Sequence, residues 1–531
     1  MPGRPTTLAT EGMIATPHYL ASIAGLDVLR GGGNAVDAAI AANAVLTVVY
    51  PHMCALGGDL FALIWDPAER QLAALNASGR APAGQSIAAL RDLGYAEMPD
   101  RGPQAVTVPG AVDGWATLLD RFGSWPLGTL LQAAIRYAER GFPVSPVLSA
   151  GMSLGADLLA RQPATAAQFL PGGKPAAPGD ILRQPDLGRS LRLLAETGPD
   201  ALYRGPLGAA MARTVQAAGG FLSEADLAVQ RAEWVSPLAT TYRGVELIEL
   251  PPNTQGITAL TLANIVEGWD VAALGHNSPA TIHRFVEAKK LAFADRDQFI
   301  TDPEFAAIPV EQLISKAHAA DLRAQIDLGR ASQPSDRPGG GDTIYLCVVD
   351  GNGLCVSLIQ SIFSSWGSGM VAERTGILMH NRGFSFTLDP RAANRLEPRK
   401  RPMHTLIPAL LMRDGLPWIV FGTMGAHGQA QTHLQLLTNL IDFGLEPQAA
   451  IEAPRWVSGR GLAGDPANVL AIEDRVAPEV IERLRVLGHE IRILPAFSSL
   501  LGHANMIQID RQRGVLMGAS DPRSDGAALG W

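Results

Sequence analysis

Apolar and polar positions divide the chain into two halves of different rhythm. Over residues 1–330 apolar side chains recur at helical spacing in Ala-Leu-Arg-rich segments, which predicts helices over 20–30, 35–48, 111–121, 127–140, 187–196 and 279–297. Proline and glycine punctuate them, as at Gly141-Phe142-Pro143 and Leu250-Pro251-Pro252-Asn253. Short strand-like stretches fall at 62–66, 72–76 and 245–250. From Thr343 onward strands dominate, over 343–349, 354–362, 406–412, 418–422, 469–472 and 506–509, with helices over 429–442 and 478–487. Helices in one block and strands in another read as α+β rather than as alternating βαβ units. The longest apolar run, Ala38 to Tyr50, is too short to cross a bilayer and contains Asn43, so it is expected to be a buried helix. Gly31-Gly32-Gly33-Asn34 ahead of it lacks the spacing of a phosphate loop and reads as a helix stop followed by an Asn34 cap.

The sharpest local signal lies around residue 350. Thr343–Val349 and Leu354–Ile362 are apolar on both faces, like strands of a sheet covered on both sides, and Asp350-Gly351-Asn352-Gly353 between them is a hairpin turn. A turn centred on Gly351-Asn352 sets Thr343 opposite Gln360, with Ser361 beside it. Residues 331–341, Ala-Ser-Gln-Pro-Ser-Asp-Arg-Pro-Gly-Gly-Gly, lack apolar anchors and read as a linker. A hydroxyl residue thus follows a turn-prone segment that ends in Asp342. The layout suits a chain that cuts itself: the Thr343 hydroxyl attacks the Asp342 carbonyl, and hydrolysis of the ester exposes an N-terminal threonine. Its α-amine, with a pKa of about 7.7–8.0, then serves as base for its own hydroxyl.

With these residues in view, the chain resembles the γ-glutamyltransferase family of N-terminal-nucleophile hydrolases nearly end to end. The resemblance runs through Gly31-Gly32-Gly33-Asn34-Ala35-Val36-Asp37, Gly57-Gly58-Asp59, Val108-Pro109-Gly110, Asp342-Thr343 and Trp366-Gly367-Ser368-Gly369. It continues through Lys400-Arg401-Pro402, Gly422-Thr423-Met424-Gly425 and Ala453-Pro454-Arg455. It implies a four-layer αββα sandwich. It also implies a precursor cut between Asp342 and Thr343 into a large chain, 1–342 with linker 331–342, and a small chain, 343–531, which together form one compact domain. Thr343 is then the nucleophile, Ser361 the second hydroxyl that holds it, and the N–H groups of Gly425 and Ala426 the oxyanion hole.

The departures bear on substrate. The family holds a γ-glutamyl group with an arginine, an asparagine and an aspartate; the matching positions here are near Ile87, at Phe363 and at Ser385. The family's Ser-Ser pair appears as His404-Thr405. A buried ammonium that loses its aspartate binds poorly, so glutathione is not expected to be the best substrate. In exchange, Arg382 within Asn381-Arg382-Gly383 offers a carboxylate clamp, and Asn381, His404 and Thr405 add neutral hydrogen-bonding groups. Ile359-Gln360-Ser361-Ile362, Asn381-Arg382-Gly383 and Ser520-Asp521-Pro522-Arg523 resemble the cytoplasmic branch of the family that includes oxamate amidohydrolase; glutaryl-cleaving acylases are further relatives. The expected activity is hydrolysis or transfer at an amide of a small, carboxylate-bearing acyl group.

Composition narrows the rest. The 531 residues carry a net charge of −8 without a basic block, which argues against nucleic acid or an anionic membrane as partner. The N-terminus shows no secretory pattern, and three cysteines, Cys54, Cys347 and Cys355, cannot all pair, so reduced thiols and a cytoplasmic location are expected. Cys347 and Cys355 flank the turn and are placed to face each other. No Cys-x-x-Cys, His-Glu-x-x-His or closely spaced histidine pair occurs, and His427 and His433 lie on different helix faces, so no metal and no cofactor are expected. Partners are a small amide, the two chains of one precursor, and at most further copies of that pair. Three rivals stand beside this reading: a true γ-glutamyltransferase or glutathione hydrolase, a metal-dependent amidase, and an unprocessed, non-enzymatic binding protein.

Overall fold

Two seven-stranded antiparallel sheets lie face to face in the computed structural model, which describes residues 3–333, 341–459 and 469–531. The first sheet runs, edge to edge, Ala527–Gly530, Met13–Thr16, Asp342–Val349, Cys355–Phe363, Asp59–Asp66, Gln71–Ala77, Glu233–Val235. The second runs Thr7–Ala9, Val515–Ser520, Ala504–Asp510, Leu416–Thr423, Ala409–Arg413, Val245–Glu249, Leu238–Tyr242.

The two-residue period of a strand explains the layering. Phe61, Leu63, Tyr345, Cys347 and Ile359 point from the first sheet into a core shared with Ile248, Leu410, Val420 and Ile507 of the second. The alternate residues of the first sheet, Leu60, Ala62, Ile344, Leu346, Val356 and Leu358, pack instead against Tyr19–Arg30 and Ala35–Val49. On the far side Leu247, Leu411, Ile419 and Phe421 pack against Gly256–Glu267, Pro279–Phe299 and Gln429–Ile441. The result is the expected αββα sandwich, in which strands are apolar on both faces because both faces are covered.

Most helices form where periodicity puts them. The segment 127–140 divides into Leu127–Leu130 and Gln132–Arg140. Asn34 caps Ala35–Val49 in a capping box: its side chain accepts from Val36 and Asp37 N–H while Asp37 accepts from Asn34 N–H. Asn43, the polar break in that buried helix, donates to Gln360 at 2.6 Å and accepts from Trp115 at 2.7 Å. The strand near 470 belongs to a separate three-stranded sheet with Trp456–Ser458 and Ile491–Leu494. No helix among the described residues is long and apolar enough to cross a membrane.

Three expectations are corrected. Ile344, not Thr343, pairs with Gln360, and Asp342 pairs with Phe363. One residue on the first strand therefore spans two on the second, a bulge that sets Thr343 against Ser361. The same register puts Cys347 opposite Ser357 and Cys355 opposite Val349, so the two cysteines do not face each other; all three are free and buried. Of the linker, 334–340 lies outside the described residues, but its start is anchored. Ala331 N–H donates to Leu487 O at 2.7 Å and Ser332 N–H to Glu287 at 3.0 Å.

Candidate active site

Thr343 sits at the head of its strand with its side chain directed between the sheets, 1% exposed. Its hydroxyl donates to Ser361 Oγ at 3.2 Å, and Ser361 Oγ donates in turn to the Asp342 carbonyl at 2.7 Å. A chain of two hydroxyls thus links the nucleophile to the carbonyl expected to be attacked. Phe363 N–H donates to Ser361 Oγ at 2.7 Å and fixes that hydroxyl in turn. The bulge makes this possible by turning Ser361 and Thr343 toward each other.

The backbone around the pair is held out of ordinary conformations. Phe363, Trp366 and Ala426 have φ of 75°, 65° and 45°, a region that costs non-glycine residues on the order of 1–3 kcal/mol each. Gly57-Gly58 lies against the strand so closely that a Cβ at Gly58 would meet Ser361 O at 2.5 Å and one at Gly57 would meet Leu378 O at 2.4 Å. Gly425, φ 134°, turns the chain from Leu416–Thr423 into Gln429–Ile441. A Cβ on Gly341 would touch Ala426 Cβ at 2.8 Å and Phe363 O at 3.0 Å, so Ala426 lies beside the Gly341-Asp342 segment. Neither Gly425 nor Ala426 N–H donates to a described backbone acceptor outside helices and strands.

Behind Ser361 stands a buried network absent from the sequence expectation. Asp59 pairs with Ser361 across the strands. Its Oδ1 accepts from Gly79 N–H at 3.0 Å, its Oδ2 accepts from His404 Nε2 at 3.0 Å, and His380 Nδ1 lies 3.4 Å from Oδ2. Burial alone would raise the Asp59 pKa, but His380 and His404 hold it well below the carboxylate range. Burial, reinforced by the charge of Arg382, pulls His404 down to about 3, so the imidazole is neutral. Gln255 joins both sides of the site: its amide donates to Thr405 O and to Ala426 O, each at 2.9 Å.

Arg382 is fully buried. Its Nη1 donates to Thr405 Oγ1 at 3.2 Å and its Cζ lies 4.0 Å from the Phe363 ring centre. Nε and Nη2 have no hydrogen-bond partner among the described residues, and burial pulls the guanidinium pKa down to about 9. Asn381, by contrast, spends its amide on the chain itself, accepting from Ser364 N–H and donating to Asp100 O and Ser364 Oγ. Phe363 and Ser385 line a cavity of about 980 Å³ with Phe384, Phe386, Met98 and Met403, rimmed by Arg91, Arg296 and Asp297. The Ser385 hydroxyl is buried there without a partner among the described residues. Ile87 opens the short helix Ile87–Asp92, which brings Arg91 to the cavity wall.

The expected lack of metal ligands rested on spacing along the chain. The fold gathers His283, Glu287 and His489 with ligand atoms within 4.8 Å. Each is already engaged: His283 Nδ1 meets His489 Nε2 at 2.8 Å, and Glu287 accepts from Lys290 at 2.6 Å and from Ser332 N–H. This knot lies at the start of the linker, apart from Thr343.

A four-layer αββα sandwich is the architecture of the N-terminal-nucleophile hydrolases, and solved relatives share it. The chain belongs to the gamma-glutamyltranspeptidase family, whose pattern its residues 21–531 match. It is 42% identical over 529 residues to the glutathione hydrolase-like YwrD proenzyme of Bacillus subtilis, with 99% of each chain covered. It is also 42% identical to the oxamate amidohydrolase proenzyme of Klebsiella pneumoniae, again over 99% of each. The crystal structure of cephalosporin acylase from Bacillus halodurans superposes with a TM-score of 0.93 at 39% identity, covering 99% of this chain and 97% of that one. The protein is accordingly an amidohydrolase or acyltransferase of this family.

Proposed function

We propose that the chain cuts itself between Asp342 and Thr343 and then hydrolyses amides of a small acyl group bearing a carboxylate. The observation that carries the substrate reading is Arg382: a buried guanidinium with two nitrogens unused and no ion-pair partner among the described residues, favoured only at longer range by Asp59. A charge so placed is stabilised when a ligand supplies the anion.

In the first stage the Thr343 oxygen adds to the Asp342 carbonyl carbon, its proton passing along Ser361. The peptide C–N bond breaks, leaving an ester and a free Thr343 amine. Water then hydrolyses the ester, giving chains of 342 and 189 residues, roughly 36 and 20 kDa by length. In the second stage that amine takes the Thr343 proton as the oxygen attacks the substrate amide. Gly425 and Ala426 N–H groups receive the oxyanion, and water releases the acyl group. Arg382 and Thr405 hold the acyl carboxylate; His404 is spent on the chain itself, its Nε2 on Asp59 and its Nδ1 on Leu406 N–H. A cavity of about 980 Å³ lined by Phe363 and Ser385 has room for a leaving amine bulkier than ammonia. γ-Glutamyl amides remain the second reading, weakened by Ser385 in place of an aspartate. Three buried free cysteines support a cytoplasmic location, and the cut chains form a heterodimer that further copies can join.

Denaturing intact-mass spectrometry of the purified protein tests the first stage. Two masses summing to the precursor, one starting at Thr343, are expected; Thr343→Ala should stay whole at 56.1 kDa and inactive. An efficiently self-cutting Thr343→Ala protein would refute the assignment. Glutathione hydrolysed faster than glutaryl and oxalyl amides would restore the γ-glutamyl reading.

A further inference from the structure

The helix-facing side of the scissile strand carries a second polar cluster that turnover does not use. Along Asp342–Val349, Thr343, Tyr345 and Cys347 face the other sheet, while Ile344, Leu346 and Val348 face the helices. Asp342 shares the helix-facing parity. On that side His18, Tyr50 and His52 are gathered at no more than 2% exposure. Their rings are in contact: His18 to Tyr50 at 5.5 Å and Tyr50 to His52 at 4.5 Å between centres, with His503 closing the group 6.5 Å from Tyr50.

Two loops hold the cluster against both reactive strands. Met53 O accepts from Ile362 N–H at 3.3 Å and His52 O from Trp366 N–H at 3.0 Å, just beyond Ser361. His503 O accepts from Met424 N–H at 2.9 Å, one residue before Gly425. The Asp342 carboxylate is near enough to add to the rise in the Tyr50 pKa, which burial and Asp525 dominate.

Within this group His18 Nε2 and both ring nitrogens of His52 have no hydrogen bond to a described residue, while the Tyr50 hydroxyl is turned to the Asp525 carboxylate. Each buried polar atom left so costs about 1–3 kcal/mol. Three in one place make a polar chamber that suits a small ligand offering both a donor and an acceptor. Burial holds His18 and His52 near pKa 3, so the imidazoles are neutral and the chamber suits a neutral guest, not an anion.

We propose that this chamber holds the water that completes self-cleavage. The inference rests on the reading that the chain cuts before Thr343. Once the ester has formed, the water oxygen adds to the Asp342 carbonyl carbon and the bond from that carbon to Thr343 Oγ breaks. One water proton passes through the newly freed Thr343 amine to Thr343 Oγ; Asp342 keeps the water oxygen in its carboxyl group. His52 and Tyr50 are positioning residues: they orient the water and are not themselves changed.

The test follows self-cleavage of full-length His52→Phe and His52→Gln by intact mass, with and without hydroxylamine. His52→Phe should slow cleavage on the order of 10²-fold. The stalled chains should be esters, which hydroxylamine cuts to leave a hydroxamate on Asp342. His52→Gln, which retains a donor and an acceptor, should cut at close to the parent rate. If His52→Phe does not fold, Tyr50→Phe, which removes one oxygen, carries the same experiment. Cleavage of the Phe variant at the parent rate, or a stall that hydroxylamine leaves intact, overturns the proposal while the cut at Thr343 stands. A parent chain that never cuts there overturns both.

Discussion

Arg382 and Arg523 are both wholly buried, and their surroundings are opposite. Arg523 donates to Glu473 at 2.7 Å and to Asp521 at 3.0 Å, and Asp521 also binds Arg455 at 2.8 Å. Burial works against its charge, yet the two carboxylates raise its pKa above the ordinary value. Arg382 has a threonine hydroxyl and an aromatic face, and burial prevails. A buried charge neutralised inside the chain is part of the frame. One with no ion-pair partner among the described residues leaves its nitrogens for a ligand's anion.

The largest effect should come from the paired arginine. Arg523→Met leaves Glu473 and Asp521 short of a cation and should cost about 3–5 kcal/mol, read by chemical denaturation. A stable, active Arg523→Met protein would erase the distinction. Arg382→Met should behave in the reverse way. Stability holds or rises, while kcat/KM for a glutaryl or oxalyl amide falls about 10²–10³-fold and that for the matching neutral amide does not. An equal loss on both substrates would make Arg382 a framework residue. The smallest effect concerns pH. Burial holds His18, His52, His404 and His433 near 3, below the unfolded value of about 6.5. Between those values the unfolded chain binds more protons, so stability falls as pH falls, by at most about 1.4 kcal/mol per histidine per unit. Melting temperatures that stay flat from pH 7 to 4 would contradict their neutral burial.

The pattern of the chain revealed the hairpin, most long helices and Thr343, because these depend on neighbours in sequence. It misplaced the register by one residue, since a bulge that opposes Thr343 to both Ser361 and Ile362 leaves no mark in a run of apolar residues. Strands such as Met13–Thr16 and Ala527–Gly530 went unread because they are short and take their identity from the strands beside them. Asp59 was visible only as the end of a glycine motif; its work depends on His404, 345 positions away. Gln255 and His380 gave no local signal at all. Arg382 was legible as a departure from a family pattern, but that two of its nitrogens have no partner among the described residues is a fact of the folded chain.

The order of strands carries one more consequence. In the first sheet the segments Met13–Thr16 and Asp59–Asp66 enclose the pair Asp342–Val349 and Cys355–Phe363, and in the second Thr7–Ala9 and Val245–Glu249 lie on either side of strands from beyond residue 400. Cut before Thr343 as proposed, two polypeptides interleaved in this way would separate only by unfolding. Dilution should leave the cut protein whole down to any concentration, and mixing separately made halves should rebuild it only through joint refolding. On the proposed cut, cleavage follows folding, and the cut molecule would retain the kinetic memory of having once been a single chain.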